Sequence, residues 1–409
     1  MPTWFDLGAV FAAAFLVTFA ATPLVRRYAL ARDLVVQPDE RRVHQRPTAQ
    51  LGGTAMMAGF VVALATAWAT GGFAAIFSVH LQMLGLLAGA GIVWAVGTVD
   101  DVREMSAPAK TAGVVLGACV LFWSGINMQF FRIPFAGTIV LSADWAPLLT
   151  VLWVFGLCTA VNLIDGLDGL AAGIVAIAAG SFAAYGHKLL TSGLISTDNP
   201  SVLIAVIVVG LCLGFLPHNF HPARIFMGDG GALLLGVLMA ASTMLVGGQS
   251  DESFSGQTYF FFAPLFIPLF ILGVPILDTA FAIVRRARHR SGVATADKDH
   301  LHHRLMRLGH GQRRSVVILW LWTALLSAFV LYPAYTGKGD AIVPILMLAL
   351  GLLLYTLFHP GRRQAREAER EGEAEREADA EREGEVTDTA PEPVEGLPSS
   401  DQGLPTQVP

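Results

Sequence analysis

The feature that most constrains this sequence is the recurrence of long apolar runs along its first 360 residues. Apolar residues make up 54% of the 409 positions, more than a water-soluble chain of this length carries. A helix needs about 20 apolar residues to cross the hydrocarbon core of a bilayer. The sequence therefore predicts an all-α polytopic membrane protein with about eleven transmembrane helices, at 4–25, 51–70, 79–99, 110–127, 146–164, 169–186, 200–217, 230–248, 259–284, 315–334 and 340–358.

The distribution of positive charge predicts the orientation of these spans. Of the 27 Lys and Arg residues, 24 fall in segments that share one side of the membrane in this arrangement: 26–50, 100–110, 218–229, 285–314 and the tail. Positive residues concentrate in cytoplasmic loops, so we expect the N-terminus outside and the C-terminus in the cytoplasm. The polar motifs then fall on the cytoplasmic face. On the outer face, Asn127–Trp145 alternates weakly around Ala136-Gly137 and predicts a short hairpin.

The end of the chain differs in composition from the rest. The whole chain has a formal net charge of −5, whereas residues 361–409 hold 14 acidic residues against 6 Arg. Three near-identical hexads, which start at Ala368, Ala374 and Ala380, are followed by a stretch rich in Pro, Gly and Ser. Such a segment has too few apolar residues to fold alone. We therefore expect residues 1–360 to form the membrane domain and 361–409 a disordered acidic cytoplasmic tail.

The segment Asn162–Gly169 (NLIDGLDG) lies between two apolar runs. Asn162, Asp165 and Asp168 are three residues apart, which would place them on one side of a helix. Ionisable groups beside a membrane span cost roughly 2–3 kcal/mol each unless they meet water, a cation or a partner. A plain polar loop is one interpretation. The repeated acids beside glycines favour a cation-dependent site at the membrane face.

Two further groups of charged residues lie at the ends of predicted spans. Asp100 and Asp101 end the third span, and Lys110 opens the fourth. Adjacent carboxylates repel each other unless a cation or a shared proton reduces the repulsion. Two interpretations therefore stay open: a site for a divalent metal with phosphate, and a plain acidic turn at a helix end. Asp229 lies between glycines at the start of a span, as a metal ligand or as a helix cap. Phe226, just before it, is a core aromatic or a platform for a planar base.

Two basic segments contain candidate anion-binding residues. Arg42 and His44 precede a Pro- and Gly-containing stretch, which fits a phosphate-facing loop or a topology anchor. His300, His302 and His303 lie in the most basic segment. Their spacing lacks the helical pair of histidines that zinc sites use, and no Cys is near. Phosphate contact is the favoured interpretation, ahead of a solvated basic loop.

Five motifs together resemble the polyprenyl-phosphate N-acetylhexosamine-1-phosphate transferase family (glycosyltransferase family 4): LGGTAM, DDVREMSAPAK, NLIDGLDGLAAG, HNFHPARIFMGDGGALLLG and DHLHHRL. The resemblance implies transfer of a sugar-1-phosphate from a UDP-sugar to a C55-type (undecaprenyl) phosphate lipid, with release of UMP. It also implies a requirement for Mg²⁺, with Mn²⁺ as an alternative, and a ten- or eleven-helix fold in the bacterial inner (plasma) membrane. The reaction would begin the synthesis of an envelope polymer such as lipopolysaccharide, teichoic acid or arabinogalactan. No nucleic-acid partner is expected, and a homodimer stays open.

The motif details favour one branch of this family. The segment HLHH with the preceding Asp297 and Asp299 is similar to the N-acetylglucosamine-1-phosphate branch. The phospho-N-acetylmuramoyl-pentapeptide branch typically has three consecutive histidines, which Leu301 interrupts here. UDP-GlcNAc is therefore the expected donor, with UDP-MurNAc-pentapeptide and a UDP-GalNAc-type sugar as alternatives. A membrane transporter is the alternative from another class, but the acids lie on one face rather than in mid-span.

The resemblance also assigns roles to individual residues. The implied metal ligands are Asp229 and Asn162. The candidate catalytic residues are Asp100, Asp101, Lys110, Asp165, His300, His302 and His303. Among these, the adjacent pair Asp100 and Asp101 would flank the reacting phosphates, Lys110 would contact the diphosphate, and the histidines would contact phosphate or sugar. The candidate substrate-binding residues are Arg42, His44, Asp168, Asn219 and Phe226, of which the last three would hold the uridine.

A physical argument favours direct attack by the lipid. A phosphate monoester has a second pKa of about 6, so the acceptor is mostly a dianion at neutral pH and needs little help from a base. The main barrier is then electrostatic, because an anion approaches a charged diphosphate. A covalent intermediate on Asp100 or Asp101 is the rival mechanism.

Overall fold

The computed structural model of this chain describes residues 2–37, 47–133, 137–247, 311–336 and 342–358, which fold mainly into α-helices. In chain order the helices are α1 (Trp4–Ala31), α2 (Gly52–Thr70), α3 (Ala74–Ser78), α4 (His80–Arg103), α5 (Ala107–Trp123), α6 (Trp145–Ile164), α7 (Leu170–Thr191), α8 (Ser201–Asn219), α9 (Gly228–Gly247), α10 (Gln312–Thr336) and α11 (Ile342–Phe358). Ten of the predicted spans coincide with these helices. The predicted span at 259–284 lies outside the described residues.

Within the described residues, eight helices are long and apolar enough to cross a membrane: α1, α2, α4, α6, α7, α8, α9 and α10. The helices α5 and α11 are apolar but shorter. A helix that crosses a bilayer satisfies its own backbone hydrogen bonds, which irregular chain exposed to lipid does not. The chain is a multi-pass helical membrane protein, as the apolar runs predict.

The helix α9 lies at the centre of the bundle. In its apolar stretch 94% of the residues are buried, against 22% in α1. It packs against α2, α4, α6, α7 and α8. Small residues permit close approach of helices in membranes. A Cβ on Gly236 of α9 would lie 2.5 Å from the Cα of Cys158 in α6, so these two backbones are nearly in contact.

Two short antiparallel hairpins accompany the helices. The first pairs β1 (Val35–Val36) with β2 (Thr48–Ala49). The second pairs β3 (Phe130–Ile133) with β4 (Gly137–Val140). The second hairpin lies where the weak alternation of Asn127–Trp145 predicts one, which confirms that element. Its placement on the outer face stays a prediction.

The polar motifs gather at one end of the bundle, which we name the motif end. The helices α4, α6 and α8 finish there, and α5, α7 and α9 begin there. The contact of Asn162 at the end of α6 with Asp229 at the start of α9 is one example. The prediction that the polar motifs share one face therefore holds for the described motifs. The sequence places this face toward the cytoplasm, which stays a prediction.

Candidate active site at the motif end

Lys110 joins two acidic side chains that come from separate helices. It lies in the first turn of α5, between Asp100 in the last turn of α4 and Asp229 in the first turn of α9. The Lys110 Nζ lies 3.0 Å from the Asp100 Oδ2 and also forms an ion pair with the Asp229 Oδ2. The three side chains are 17–27% exposed, so the ion pairs are shielded but can be reached by a ligand.

Asn162 completes this group from the other side. It lies in the last turn of α6, and its Nδ2 donates a hydrogen bond of 2.7 Å to the Asp229 Oδ1. Both oxygens of the Asp229 carboxylate are thus in contact, one with a cation and one with an amide. We name Asp100, Lys110, Asn162 and Asp229 the charged cluster. Four segments that are distant in the sequence meet at this point.

The adjacent carboxylates Asp100 and Asp101 point in different directions. The Asp100 Oδ1 accepts a hydrogen bond from the backbone N–H of Met105, which braces the turn between α4 and α5, while its Oδ2 faces Lys110. The Asp101 carboxylate faces the start of α9. Its Oδ1 accepts from the N–H of Asp229 at 2.8 Å and its Oδ2 from the N–H of Gly230 at 3.1 Å. The two adjacent carboxylates therefore contact different partners.

Glycines allow α9 to begin in this crowded place. Gly228 has a φ of +70°, in the left-handed region that favours glycine. A Cβ on Gly53, at the start of α2, would lie 2.1 Å from the N of Gly231. A Cβ on Gly97 of α4 would lie 2.6 Å from the carbonyl carbon of Asp229. Larger residues at these positions would push α9 away and displace Asp229.

A second group of polar side chains lies beside the charged cluster, in the turn after α6. The Asp168 Oδ2 accepts a hydrogen bond of 3.0 Å from the backbone N–H of Ala223 and lies 2.8 Å from the Nδ1 of His221. Only 7% of Asp168 is exposed. Because a buried carboxylate needs donors, these two contacts fix the turn against the segment that follows α8.

Asn219 ties the same two segments together. Its Oδ1 accepts from the N–H of Gly169 at 3.0 Å, and its Nδ2 donates to the carbonyl of Ile225 at 3.0 Å. Asn219 is 2% exposed, so its amide is satisfied by the backbone in the interior. We name Asp168, Asn219, His221 and Ala223 the buried turn.

Asp165 lies between the charged cluster and the buried turn. It directly follows α6, and its backbone N–H donates to the carbonyl of Asn162 at 3.3 Å. Burial raises the pKa of the Asp165 carboxyl well above its usual range, and the charges of Asp101 and Asp168 raise it further. An ionised Asp165 is therefore destabilised unless positive charge comes near.

Comparison with known proteins now identifies the family. The chain matches the model of glycosyl transferase family 4 over residues 83–247. It is 37% identical over 361 residues to the decaprenyl-phosphate N-acetylglucosaminephosphotransferase of Mycolicibacterium smegmatis, which covers 85% of this chain and 89% of that relative. The chain belongs to glycosyl transferase family 4. The resemblance that the five motifs carry is thereby confirmed.

Two further relatives of this family 4 member show how the similarity is distributed. It is 36% identical over 350 residues to a probable undecaprenyl-phosphate N-acetylglucosaminyl 1-phosphate transferase of Bacillus subtilis, over 84% of this chain and 90% of the relative. It is 30% identical over 343 residues to a phospho-N-acetylmuramoyl-pentapeptide-transferase of Desulforudis audaxviator, over 78% of this chain and 94% of the relative. An undecaprenyl-phosphate alpha-N-acetylglucosaminyl 1-phosphate transferase of Escherichia coli is 27% identical, so identity alone does not separate relatives that are named for different sugars.

The remaining candidate residues of this family 4 chain fall into two groups. Phe226 is half-buried, and its backbone N–H donates to the carbonyl of Ala49 at 2.9 Å while its carbonyl accepts from Gly52 at 3.0 Å. These bonds place Phe226 between α2 and α9, close in sequence to Asp229. The other group lies outside the described residues, and its roles stay predictions: Arg42, His44, His300, His302 and His303.

Sequence reasoning missed the residues that hold the segment after α8. His221 contacts Asp168, and its carbonyl accepts a hydrogen bond of 3.1 Å from the Nε of Arg313 in α10. The Nε of Arg26 in α1 donates to the carbonyl of Arg224 at 2.9 Å. His221 could have been singled out from the sequence because it lies in the same motif as Asn219. A carboxylate that becomes buried, such as Asp168, needs a hydrogen-bond donor, and a histidine can supply one.

The donor atoms at the charged cluster fit one kind of metal site. Among the described residues, no group of three or more His, Cys, Asp or Glu side chains is placed to hold a metal ion. Asp229 offers its carboxylate, and Asn162, whose Nδ2 donates to Asp229, offers its amide Oδ1. Mg²⁺ is commonly bound by one or two carboxylates together with substrate phosphates and water. The residues present therefore fit Mg²⁺ with a bound diphosphate, and do not fit a site made by protein alone.

Proposed function

We propose that this protein transfers N-acetylglucosamine-1-phosphate from UDP-GlcNAc to a polyprenyl phosphate and releases UMP. Relatives at 36–37% identity are named as such transferases for decaprenyl or undecaprenyl phosphate. The observation that carries the proposal is the charged cluster. A lysine held between two carboxylates, beside an amide at the ends of membrane helices, suits the binding of a diphosphate at the membrane surface.

Lys110 is the group that would contact the diphosphate. Its ammonium is held by Asp100 and Asp229, and a phosphate oxygen can replace one of these partners. The attacking lipid phosphate is already a dianion at neutral pH, with a second pKa of about 6. The charge on Lys110 would therefore serve mainly to reduce repulsion between two anions and to stabilise the leaving phosphate.

Asp229 and Asn162 are the residues that would hold Mg²⁺ in this proposal. Their side chains are already adjacent, and Lys110 is the only cation that contacts Asp229 among the described residues. When bound, Mg²⁺ supplies positive charge that neutralises the diphosphate and stabilises departing UMP. Mn²⁺ prefers similar oxygen ligands and would be the alternative ion.

Asp100 would act in this reaction by orienting Lys110. One of its oxygens accepts from the Met105 N–H and the other contacts Lys110. A nucleophilic role would require Asp100 to leave these partners and would add a second anion to the site. Direct attack by the lipid phosphate is therefore the mechanism that we propose.

The uridine would lie toward the buried turn. Asp168 would hold the uridine site in shape from the interior, because its Oδ2 contacts His221 and accepts from the N–H of Ala223. Phe226 would stack on uracil, and Asn219 would support this pocket through Gly169 and Ile225. The basic residues Arg42 and His44, with the three histidines near residue 300, would contact phosphate or sugar.

We further propose eleven membrane-spanning helices, with the motif end in the cytoplasm and the N-terminus outside, in the bacterial inner membrane. The support is the distribution of Lys and Arg, 24 of 27 of which fall on one side in this arrangement. The shorter helices α5 and α11 and the segment 259–284 would complete the count. The donor would then be bound from the cytoplasm.

The test is transfer by the purified protein in detergent. The protein is incubated with Mg²⁺, undecaprenyl phosphate and, in parallel, UDP-GlcNAc, UDP-GalNAc or UDP-MurNAc-pentapeptide, and both UMP and lipid-linked product are measured. We expect UMP and product in equal amounts with UDP-GlcNAc, without any ion gradient. Faster transfer from another donor would overturn the substrate assignment, and absence of transfer from all three would overturn the activity.

The same assay without lipid tests the mechanism. Direct attack requires the acceptor, so rapid quenching with UDP-GlcNAc and Mg²⁺ alone should release no UMP in the first turnover. A burst of UMP equal to the enzyme concentration would indicate a phospho-sugar bound to the enzyme and would rule out the direct route.

A further inference from the structure

Both oxygens of the Asp101 carboxylate form hydrogen bonds with the backbone of another helix. It extends from the last turn of α4 to the first turn of α9, where its two oxygens accept from the N–H groups of Asp229 and Gly230 at 2.8 and 3.1 Å. These residues are 128 and 129 positions away in the sequence. Asp101 therefore caps a helix to which it does not belong.

The start of α9 needs such a cap from outside. The first N–H groups of a helix have no partner within the helix and are usually satisfied by a side-chain oxygen just before it. Met227 and Gly228, which precede Asp229, have no side-chain oxygen. A carboxylate is also the favoured group there, because the helix dipole places positive charge at its N-terminus.

The packing leaves little room for water to replace the carboxylate. A Cβ on Gly228 would lie 2.4 Å from the Asp101 Oδ2, and a Cβ on Gly230 would lie 2.6 Å from the Oγ1 of Thr98. The first turn of α9 is thus held between α4 and its own cap. Loss of the carboxylate would leave two N–H groups in a space that is too narrow to hydrate well.

We propose that Asp101 is a positioning residue, which fixes the first turn of α9 and thereby aims the Asp229 carboxylate at Lys110 and Asn162. The N–H that Asp101 holds belongs to Asp229 itself, so the cap and the aimed side chain share one residue. In this role Asp101 touches neither phosphate, whereas the family resemblance implies that it flanks the reacting phosphates. The activity part of this proposal rests on the proposed function, and the structural part does not.

The main test compares hydrogen exchange in two neighbouring variants. Asp101→Asn keeps the size of the side chain but replaces one acceptor oxygen by a donor. Backbone amide exchange in a peptide that contains residues 229–231 should become at least about tenfold faster, as expected for the loss of a hydrogen bond to a charged acceptor. Asp100→Asn, which removes a neighbouring carboxylate that faces elsewhere, should leave exchange in this peptide unchanged.

The dependence on metal gives a second readout. In Asp101→Asn, the Mg²⁺ concentration for half-maximal turnover should rise about tenfold or more, while turnover at saturating Mg²⁺ recovers to within about tenfold of the native rate. In the presence of UDP, which supplies the diphosphate, the rise in melting temperature caused by Mn²⁺ should need a correspondingly higher Mn²⁺ concentration, and this measurement needs no turnover. Asp6→Asn is the matched control, because the Asp6 carboxylate completes the capping box at the start of α1 by accepting from the N–H of the N-cap residue Thr3. It should leave the metal dependence unchanged.

A second variant keeps the test decisive if Asp101→Asn does not fold. Gly230→Ala retains the carboxylate but places a methyl group against Thr98, which should push the first turn of α9 away from Asp101. We expect the same increase in exchange and in metal requirement, with partial recovery in Thr98→Ala/Gly230→Ala. Native exchange and native metal dependence in Asp101→Asn, together with a turnover loss of more than about a thousandfold, would instead place Asp101 in the chemistry. If neither the native protein nor any variant transfers sugar, the proposed function fails, and the hydrogen-exchange measurement still tests the structural part of this proposal.

Discussion

The charged cluster and the buried turn use similar residues in opposite ways. In the charged cluster, side chains contact other side chains, and Asp100, Lys110 and Asp229 remain 17–27% exposed. In the buried turn, Asp168 and Asn219 are 7% and 2% exposed and contact mainly backbone groups. The first arrangement can exchange a partner for a ligand. The second holds the chain in one conformation.

The difference follows from the free energy of desolvation. An ion pair that is partly exposed contributes little to stability, because water competes for both charges. Lys110 can therefore leave a carboxylate for a phosphate at small cost. A buried carboxylate or amide that loses its partner bears the full cost of an unsatisfied group. The two regions should consequently respond differently to mutation, one in activity and the other in stability.

The largest effect on activity is expected for Asp229→Asn. This change removes the carboxylate that contacts Lys110 and would hold Mg²⁺, so turnover should fall at least about a hundredfold while the protein still folds. Transfer at saturating Mg²⁺ and the thermal unfolding midpoint are the measurements. Asp144→Asn, an exposed carboxylate before α6, is the control and should behave as the native protein. Near-native turnover in Asp229→Asn would exclude Asp229 as a ligand.

Lys110→Ala should have the next largest effect. Without the ammonium, Asp100 and Asp229 lose their shared partner and the diphosphate loses a positive contact. We expect kcat to fall by about tenfold to a hundredfold and the KM for UDP-GlcNAc to rise. Lys110→Arg retains the charge and should keep more of the activity. A rise in KM alone, with native kcat, would show that Lys110 binds the substrate and the transition state equally and does not stabilise the transition state selectively.

Asp168→Ala should affect stability more than it affects chemistry. The substitution leaves the Ala223 N–H and His221 without their buried acceptor, at a cost of about 1–3 kcal/mol. We expect a clearly lower unfolding midpoint, with most of the turnover retained at low temperature. Asp144→Ala serves as the exposed control. An unchanged midpoint together with weak binding of UDP-GlcNAc would show that Asp168 acts on the nucleotide.

The helices could be predicted from the sequence because the signal is local. Runs of apolar residues and their flanking charges place ten spans where described helices occur. The short α3 (Ala74–Ser78) was missed because it is only 5 residues long and carries no distinct pattern. The prediction of α1 ended at residue 25, whereas the helix continues to Ala31 through the basic residues Arg26 and Arg27. Hydropathy finds the apolar part of a helix and not its polar end.

The candidate site could be predicted only in part. The family resemblance implied that Asn162 and Asp229 belong to one site, and the structure brings their side chains to 2.7 Å. The orientation of Asp101 toward α9 and the pairing of Asp168 with His221 were not predicted. A carboxylate in a motif has no preference for one partner over another. The partner depends on which helices approach closely. That approach depends on glycines such as Gly97 of α4 and Gly53 of α2, which are distant in sequence from the start of α9 that they contact.

The smallest effect on the unfolding midpoint is expected for Asp165→Asn, a change at the residue that lies between the two regions. Burial raises the pKa of its carboxyl, so ionisation costs the folded protein more than the unfolded one. This destabilisation is absent below the unfolded pKa of about 3.9 and grows as the pH rises toward the folded pKa. Asp165→Asn cannot ionise. In EDTA, its unfolding midpoint should equal that of the native protein near pH 4 and exceed it at pH 7, although transfer is reduced. Midpoints that differ by the same amount at every pH would show that the carboxyl of Asp165 keeps its ordinary pKa in the folded protein.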